Sequence, residues 1–425
     1  MAGNLSRRRV LNSVAGAGMI GIAGCNGNGG SNGDTPGTDT ETTTGGGAQT
    51  VIIGNLNPTS GPYGFFGNQN VAGLKQRVKE FNESDEVLQN VELEVVTRDT
   101  EGDPDVGNEA ARELILQENV DVLSGTVSSS VSASVLSIAT SENVPFFMTA
   151  STDYSLTTGE NCERVGFRWT PHSRQIAPPV AEWSVNNLGG EGYILVEDYA
   201  YGNSLNEAFT QTVDNQGGSI AGRSIIEFGS QDFQAVIEDA KSVDPDWLFI
   251  GIVGGTATAF LQQAANRGFD IPITSQYLIS PVLGQLPPEE FDKLPSITTL
   301  ASDPGTADIG SNQEFRQRWM ESHETPPLPN HYIGYNAATF VGQVIDESPE
   351  ISTDAIVNTA EGFTVDALFG EVPVRACDHQ AGINMWIAEA TAVDPDTGLA
   401  TFEYIDRLNM ASYLAPCDEI PCQLS

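Results

Sequence analysis

The sequence predicts an α/β protein of two similar lobes, each a parallel sheet flanked by helices, with a ligand cleft between the lobes. Three observations support this prediction. The chain has 425 residues, enough for two or three domains. Short apolar segments alternate with helical segments of about 10–15 residues, a pattern typical of βαβ units and parallel sheets. This alternation stops near residue 170 and then starts again, which indicates two such series on one chain.

The first series begins at residue 50. Its first helix has Val71, Leu74 and Val78 on one face, at the spacing of an amphipathic helix. Its second helix begins at Asp103-Pro104, an N-cap followed by proline at the first helical position. The predicted strands are 50–55, 91–98, 120–124 and 144–149, and the predicted helices are 67–82, 103–118 and 129–141.

The second series begins after residue 170 with a helix. The predicted helices are 173–188, 202–216, 232–241 and 256–268, and the strands between them are 192–197, 219–228 and 247–252. In open parallel sheets, ligands bind beyond the carboxyl ends of the strands. Two facing lobes of this kind therefore place the binding site in the cleft between them.

The charge of the chain is strongly negative, with 57 Asp and Glu against 19 Lys and Arg and a formal net charge of −38. This excess argues against binding nucleic acid, whose phosphates need a basic surface, and against electrostatic binding to an anionic membrane. The acidic residues are dispersed and only four lysines occur. We therefore predict a halophilic protein, adapted to concentrated salt that screens a negative surface.

The N-terminus has the pattern of an export signal. Arg7 and Arg8 form a twin-arginine sequence, and a short apolar stretch follows and ends at Cys25. Small residues before that cysteine resemble a lipoprotein signal, so we expect residues 1–24 to be a signal peptide and Cys25 to carry the lipid. Residues 25–49 are rich in Gly, Thr, Asn and Ser and predict a flexible tether. The expected location is extracellular, anchored to the outer face of the cell membrane by this lipid alone.

Four cysteines remain after Cys25, and an exported chain with an even number favours disulfides. Three pairings are possible. We expect the two cysteines of the C-terminal tail, Cys417 and Cys422, to tie the tail to Cys162 and Cys377. Free buried thiols are the alternative.

The sequence contains little that indicates catalysis. No metal-ligand spacing connects its four histidines, which are His172, His323, His331 and His379. Beyond the N-terminal segment 1–24, the sequence also contains no nucleophile-elbow, phosphate-loop or dinucleotide-binding motif. We therefore expect no enzyme activity, no cofactor and no metal.

Small hydroxyl residues follow two neighbouring strands of the first series. Ser129 and Ser130 open a helix after one strand, and Ala150, Ser151 and Thr152 follow the next. Hydroxyls together with the free N–H groups of a helix N-terminus bind an anion or a neutral oxygen without a cationic side chain. Helix capping is the simpler explanation for each segment alone, but two at adjacent strand ends favour a binding site.

The segment from about residue 50 to residue 390 resembles the substrate-binding proteins of branched-chain amino-acid-type ABC importers, the leucine-binding-protein group. The resemblance is carried in order by Ser60-Gly61-Pro62 with Phe66-Gly67, Gly125 with Ser129, Ala150-Ser151-Thr152, the run 197–202 (EDYAYG) and Asp378-His379-Gln380. It implies a type I periplasmic-binding-protein fold. It also implies capture of a small polar solute by lobe closure and delivery to a membrane permease.

The resemblance implies roles for particular residues and a division of the chain. Ser129 and Thr152, with the backbone at Ala150, would hold a ligand carboxylate, and Tyr201 would close from the second lobe. The expected ligand-binding set is Ser129, Ser130, Ala150, Ser151, Thr152, Tyr201, Phe66, Tyr63, Gln276 and Tyr277. The expected segments are 50–170 in lobe 1, 171–290 in lobe 2, 291–350 returning to lobe 1, 351–405 returning to lobe 2, and a tail, 406–425.

The chain departs from the amino-acid binders of this group at two points. Val253 stands where they carry a tyrosine, and Gln276 or Tyr277 stands where they carry the glutamate that pairs with the ligand ammonium. Burying an ammonium without a carboxylate costs several kcal/mol. An organic acid without the amine, an amide or urea therefore competes with a branched-chain amino acid, unless Asp153 or Asp198 replaces the glutamate. A ligand sensor of the same fold is the alternative function.

The charge gives the first testable prediction. Raising NaCl from ~0.1 M to ~3 M shortens the Debye length from ~10 Å to below ~3 Å and screens repulsion among the dispersed acids. The melting temperature, followed by circular dichroism, should therefore rise over this range. Sucrose at the same osmolarity is the uncharged control. A melting temperature that does not change with salt would contradict the prediction of a halophilic protein.

Overall fold

The computed structural model describes residues 48–425, except residues 62, 85, 86, 304, 306–308, 423 and 425. The expected signal peptide, Cys25 and nearly all of the expected tether lie outside the described residues. Within the described part of the chain, no helix has the length and apolar character needed to cross a bilayer. Residues 47–425 form one compact unit.

The first lobe is built on a parallel five-stranded sheet in the order β2-β1-β3-β4-β5. Asp103 caps its second helix by accepting hydrogen bonds from the backbone N–H groups of Asp105 and Val106, as the Asp-Pro pair predicts. The strands are β1 Gln49–Asn57, β2 Val91–Asp99, β3 Val122–Gly125, β4 Phe146–Met148 and β5 Gly166–Arg168, and the helices are α1 Gly64–Asn82, α2 Pro104–Leu116 and α3 Ser129–Glu142. The short β5 was not predicted.

The second lobe is built on a seven-stranded sheet in the order β14-β13-β10-β9-β8-β6-β7. In the first part of this lobe, helices and strands alternate as the sequence predicts. They are α4 Ser173–Asn187, β6 Glu191–Glu197, α5 Ala200–Asn215, β7 Ser219–Ile226, α6 Gln234–Val243, β8 Trp247–Gly251 and α7 Gly254–Asn266. After these come β9 Ile273–Ser275, the one-turn helices α8 Ser280–Leu283 and α9 Pro288–Phe291, and β10 Ile297–Ala301. The two-lobed α/β fold is therefore confirmed.

The later segments divide between the lobes differently from the expected boundaries. Segment 291–350 was assigned to lobe 1, but β10 within it pairs with β9 and so lies inside the second sheet. From there the chain passes through α10 Asn312–Ser322 and α11 Pro329–Glu347, and α11 packs against α1 of the first lobe.

Segment 351–405 was assigned to lobe 2, but α12 Thr353–Ala360 lies against the first lobe. Asp354 pairs with Arg164 at 2.9 Å, and the Thr353 hydroxyl donates to the Asn143 carbonyl. The small hairpin of β11 Thr364–Ala367 and β12 Gly370–Pro373 follows, with β11 against α11. Only β13 Asn384–Asp394 and β14 Leu399–Asn409 return to the second sheet, where both add as antiparallel strands.

The tail begins at residue 410, where β14 ends, rather than at residue 406. Disulfides join Cys162 to Cys422 and Cys377 to Cys417, with Cα atoms 5.4 and 5.9 Å apart. Of the three possible pairings, the structure therefore has one that ties the tail to the body at two points.

The contact between α1 and α11 depends on two glycines. A Cβ atom at Gly73 would lie 2.0 Å from the His331 carbonyl oxygen, and one at Gly334 would lie 2.0 Å from the Asn70 carbonyl oxygen. Each helix therefore touches the backbone of the other, and no larger residue fits. This contact fixes the position of the first turn of α11, which reaches the cleft.

Substitution of Gly73 tests this contact. Gly73→Ala should lower the free energy of unfolding by about 1–3 kcal/mol, because the added methyl group overlaps the backbone of α11. Gly190→Ala is the matched control, since a Cβ there meets nothing within 4 Å; it should change stability by less than about 1 kcal/mol. Urea unfolding measures both variants. Equal stability of the two would contradict the close contact.

Candidate functional site

A cavity of about 400 Å³ lies between the two lobes. Its wall is formed where the parallel strands of both sheets end. Val127 and Ala150 follow β3 and β4 of the first lobe, and Tyr199 and Val253 follow β6 and β8 of the second. The cavity thus occupies the position that the parallel-sheet topology predicts.

Nine of the ten predicted ligand residues line this cavity. They are Tyr63, Phe66, Ser129, Ser130, Ala150, Thr152, Tyr201, Gln276 and Tyr277. The exception is Ser151, whose side chain is fully buried behind the wall. Its hydroxyl donates to the Thr126 carbonyl oxygen at 2.8 Å and lies 2.6 Å from the Ser132 hydroxyl oxygen. Ser151 therefore holds the loop in place instead of facing the cavity.

The first lobe presents hydroxyl groups and the N-terminus of α3 to the cavity. The Ser129 Oγ accepts hydrogen bonds of 3.2 Å from the backbone N–H groups of Thr152 and Asp153. Because both of its acceptor positions are used, the Ser129 O–H is left as a donor. The Ser128 and Ser130 hydroxyl oxygens lie 3.0 Å apart at the same helix end. This side of the cavity is built to donate hydrogen bonds to an anionic or neutral oxygen.

The two lobes are joined by hydrogen bonds across the cleft. Asn330, at the start of α11 in the first lobe, donates from Nδ2 to the Tyr277 Oη of the second lobe at 2.9 Å. Tyr201 of the second lobe is hydrogen-bonded to Thr152 of the first, and its Oη also accepts from Gln276 Nε2 at 3.0 Å. The structure is therefore a closed form of the two lobes.

Six aromatic rings form much of the remaining wall. Tyr63 of the first lobe meets Phe228 of the second with ring centroids 6.1 Å apart, and Phe66 meets Tyr277 at 6.4 Å. Tyr199 lies between Tyr201 and Phe228, at 5.9 and 5.2 Å. Such rings offer flat apolar faces to a ligand, with phenol hydroxyls at their edges.

No acidic or basic side chain lines the cavity among the described residues. Asp153 and Asp198, the two carboxylates considered as partners for an ammonium, also lie outside the wall. The Asp153 carboxylate accepts from the backbone N–H and hydroxyl of Ser155, and that of Asp198 accepts from the Asn203 amide. Nothing in the described wall therefore supplies a carboxylate to an ammonium.

Buried carboxylates behind the wall are shifted towards their neutral form. Burial raises the pKa of Glu197, which is 1% exposed, although its carboxylate accepts a hydrogen bond from the Gly229 N–H. Burial also raises the pKa of Asp303 to about 6. These shifts follow from desolvation, which penalises the charged form.

Several lining residues were missed by the sequence prediction. Tyr199 lies inside the run 197–202, one of the segments that carry the family resemblance, so that resemblance could have identified it. Asn330 and Ser302 had no comparable local signal, because they follow long crossovers between the lobes. The other lining residues that were not predicted are Gly102, Val127, Ser128, Thr170, Pro171, Ile176, Phe228, Val253, Ile333, Ile383 and Met385.

A metal site is not present among the described residues, where no group of three or more His, Cys, Asp or Glu could hold an ion. Among the residues that the structure describes, the cavity wall holds no histidine or carboxylate that could act as a general base. The arrangement suits the binding of a small molecule, since hydroxyl donors lie on one side of the cavity and aromatic faces on the other.

Comparisons with known proteins agree with this arrangement. The profile of the family described as periplasmic binding protein matches residues 50–396. The chain is similar to a Leu/Ile/Val-binding protein homolog 6 of Brucella abortus (strain 2308), with 25% identity over 225 residues. That match covers 52% of this chain and only 56% of the relative's length.

Solved structures show the same fold. An amino acid ABC transporter substrate-binding protein from Pseudomonas fluorescens Pf-5 superposes with a TM-score of 0.78 at 19% identity, covering 89% of this chain and all of that one. A solute binding protein of an ABC transporter from Rhodopseudomonas palustris BisB5, in complex with 3,4-dihydroxybenzoic acid, has a TM-score of 0.76 at 20% identity. It covers 85% of this chain and 98% of its own.

The buried phenols of the cavity give a prediction in alkaline solution. Burial raises the pKa of Tyr63 to about 12 and raises the pKa of Tyr199, Tyr201 and Tyr277 as well. These four tyrosines should therefore stay neutral in the native protein at pH ~10.5, where unfolded tyrosines, of pKa ~10, are mostly ionised. Absorbance at about 295 nm, in buffer and in guanidinium chloride, counts the phenolates.

The same shift links stability to pH. Stability that comes from keeping these phenols neutral is fully present below pH ~10 and is lost as pH rises through the folded-state pKa. Native protein should thus show fewer phenolates than denatured protein until it unfolds in alkali. Identical titration curves in the two solvents would contradict the burial of the cavity tyrosines.

Proposed function

The chain belongs to the periplasmic binding protein family, and we propose that it is the substrate-binding protein of an ABC importer. It captures a small solute between its lobes and delivers the solute to a membrane permease. The observation that carries this proposal is the closed cleft, where hydrogen bonds from Thr152 and Asn330 of one lobe reach Tyr201 and Tyr277 of the other. A ligand that adds contacts to both lobes favours this closed form.

The wall of the cavity favours a small organic acid with an apolar or aromatic body. A carboxylate placed at the start of α3 would accept from the Ser129 hydroxyl and from free backbone N–H groups, and it would gain from the helix dipole. The body of the ligand would lie between aromatic faces such as Tyr63 and Phe66. A cavity of about 400 Å³ has room for a ligand of this size. The aromatic acid bound in the neighbouring structure from R. palustris has the same chemistry.

An α-amino acid fits this wall less well. The described wall offers Gln276 and Tyr277 where a carboxylate would be needed, and their hydrogen bonds are made to Tyr201 and Asn330. An unpaired ammonium in such a site loses hydration that nothing replaces. The names of the similar Brucella proteins keep a branched-chain amino acid as the second candidate ligand.

The N-terminal pattern supports export as a lipoprotein. The twin-arginine sequence would direct the folded protein across the membrane, and Cys25 would carry the lipid anchor. The 24 residues 26–49 then form a tether with a typical reach of ~25–30 Å. The net charge of −38 is consistent with work in a salty medium outside the cell.

A thermal-shift screen in ~3 M NaCl tests the proposed ligand class. The compounds are benzoate, 4-hydroxybenzoate, benzamide, urea, leucine and valine. We expect the aromatic acids to raise the melting temperature, because a ligand that binds only the folded protein stabilises it in proportion to the logarithm of its concentration over Kd. Shifts by leucine or valine without shifts by the acids would overturn the organic-acid assignment.

Variants then locate the ligand. Ser129→Ala and Thr152→Val should each weaken binding of the strongest ligand about 10- to 100-fold, the effect of losing one hydrogen bond to a charged group. Ser137→Ala is the matched control, since Ser137 is exposed on the same helix. Titration calorimetry measures all three. Unchanged affinity in the two cleft variants would show that the ligand binds elsewhere.

A further inference from the structure

A second cavity, of about 260 Å³, lies on the opposite side of the segment that crosses from the first lobe to the second. Alternate parts of this segment face different cavities. Thr170, Pro171 and Ile176 line the cleft, whereas His172 and Arg174 line the second cavity. No described residue lines both. The tail that the two disulfides tie down, including Leu414 and Ile420, forms the opposite wall.

Two arginines, Arg174 and Arg375, line the second cavity, although the whole chain has only 19 Lys and Arg against 57 acids. Arg174 is exposed, and its guanidinium carbon lies 4.1 Å above the centre of the Tyr154 ring. Arg375 binds the Asp378 carboxylate through two nitrogens, so this pair is nearly neutral. The wall thus contains one cation, Arg174, that stacks on a ring and has no carboxylate partner in the part of the chain that the structure describes.

A third arginine adds positive charge behind the wall. Arg168 is fully buried and donates to the Gln380 side-chain oxygen at 2.5 Å, to the Thr157 hydroxyl at 2.5 Å and to the Asp153 carbonyl oxygen. All of these acceptors are neutral. The carboxylates of Asp378 and Asp153 act on Arg168 only from a distance. Three arginines thus lie in or behind this wall, together with the carboxylates of Asp378 and Asp153.

His172 points to an anionic ligand. It is 4% exposed, and its Nδ1 has no hydrogen-bond partner among the described residues. Burial first, and then the charges of Arg168, Arg375 and Arg174, lower its pKa well below the usual value. A neutral imidazole can donate one hydrogen bond. In the first turn of α4, the Ser173 N–H donates to the Thr152 carbonyl oxygen and the Gln175 N–H donates to the His172 carbonyl oxygen, so the Arg174 N–H is the one left without an acceptor among the described residues. A carboxylate oxygen would satisfy these donors together.

We propose that this second cavity is a binding site for a small organic carboxylate, held by His172 and by the side chain and backbone N–H of Arg174. The apolar body of the ligand would rest on Leu414, Ile420 and the ring of Tyr413. That apolar side and the volume of about 260 Å³ favour an organic acid over a bare inorganic ion. The site does not depend on the function proposed for the cleft, because the crossing segment separates the two cavities.

Titration calorimetry with isobutyrate tests this site in the full mature chain at constant ionic strength and pH ~7.5. The neutral isostere isobutyramide is the control for charge. Wild-type protein should bind isobutyrate saturably and bind isobutyramide at least 5-fold more weakly. Arg174→Gln should weaken isobutyrate binding at least 5-fold, because it removes the charge that pairs with the carboxylate. Folding should be intact, since Arg174 is exposed.

Two further variants separate the alternatives. Arg267→Gln changes the net charge equally at an exposed arginine far along the chain and should leave isobutyrate binding unchanged. In the cleft variant Thr152→Val, the part of isobutyrate binding that is lost in Arg174→Gln should persist. No saturable binding, equal loss in Arg174→Gln and Arg267→Gln, or loss only in Thr152→Val would each overturn the proposal. The last result would place isobutyrate in the cleft without affecting the function proposed there.

Discussion

The hydrogen bonds that cross the cleft determine how the rest of the molecule is arranged. Asn330 and Thr152 of the first lobe reach Tyr277 and Tyr201 of the second, and these four polar groups can pair only if both sheets turn the carboxyl ends of their strands to the same cavity. Asn330 depends in turn on α11, whose position is fixed by the glycine contact with α1. The packing of one helix pair is therefore connected directly to closure of the cleft.

The charged side chains of the protein concern the surrounding medium, whereas the cleft recognises its ligand with uncharged groups. Its acidic residues lie mainly outside the cleft, and the net charge of −38 concerns the medium around the molecule. The described cavity wall holds no acidic or basic side chain, and burial raises the pKa of its phenols above the usual value. Recognition in the cleft therefore relies on hydroxyl and amide groups, on helix dipoles and on aromatic faces. Concentrated salt should weaken ligand binding to such a wall only slightly, because salt mainly screens interactions between exposed charges.

Much of the fold and of the site could be predicted from sequence because the signals are local. Ser129 and Thr152 directly follow strands, so their place at the strand ends is fixed by chain order. Ser151 shows the limit of that argument, since neighbouring residues of extended backbone face opposite sides and only alternate residues reach the cavity. Asn330 and the position of β10 depend on crossovers between lobes. These are decided by tertiary packing, which leaves no pattern in a short stretch of sequence.

If a ligand closes the two lobes over one cavity, the distance between the lobes must shorten when the ligand binds. Spin labels at Glu109→Cys on α2 and Glu238→Cys on α6 place one exposed label on each lobe. Without ligand, pulsed electron–electron double resonance should give a broad distribution of distances between the two labels, centred at a longer distance. With saturating amounts of the strongest ligand of the screen, it should give a single shorter distance. Identical distributions with and without that ligand would contradict closure of the lobes by the ligand.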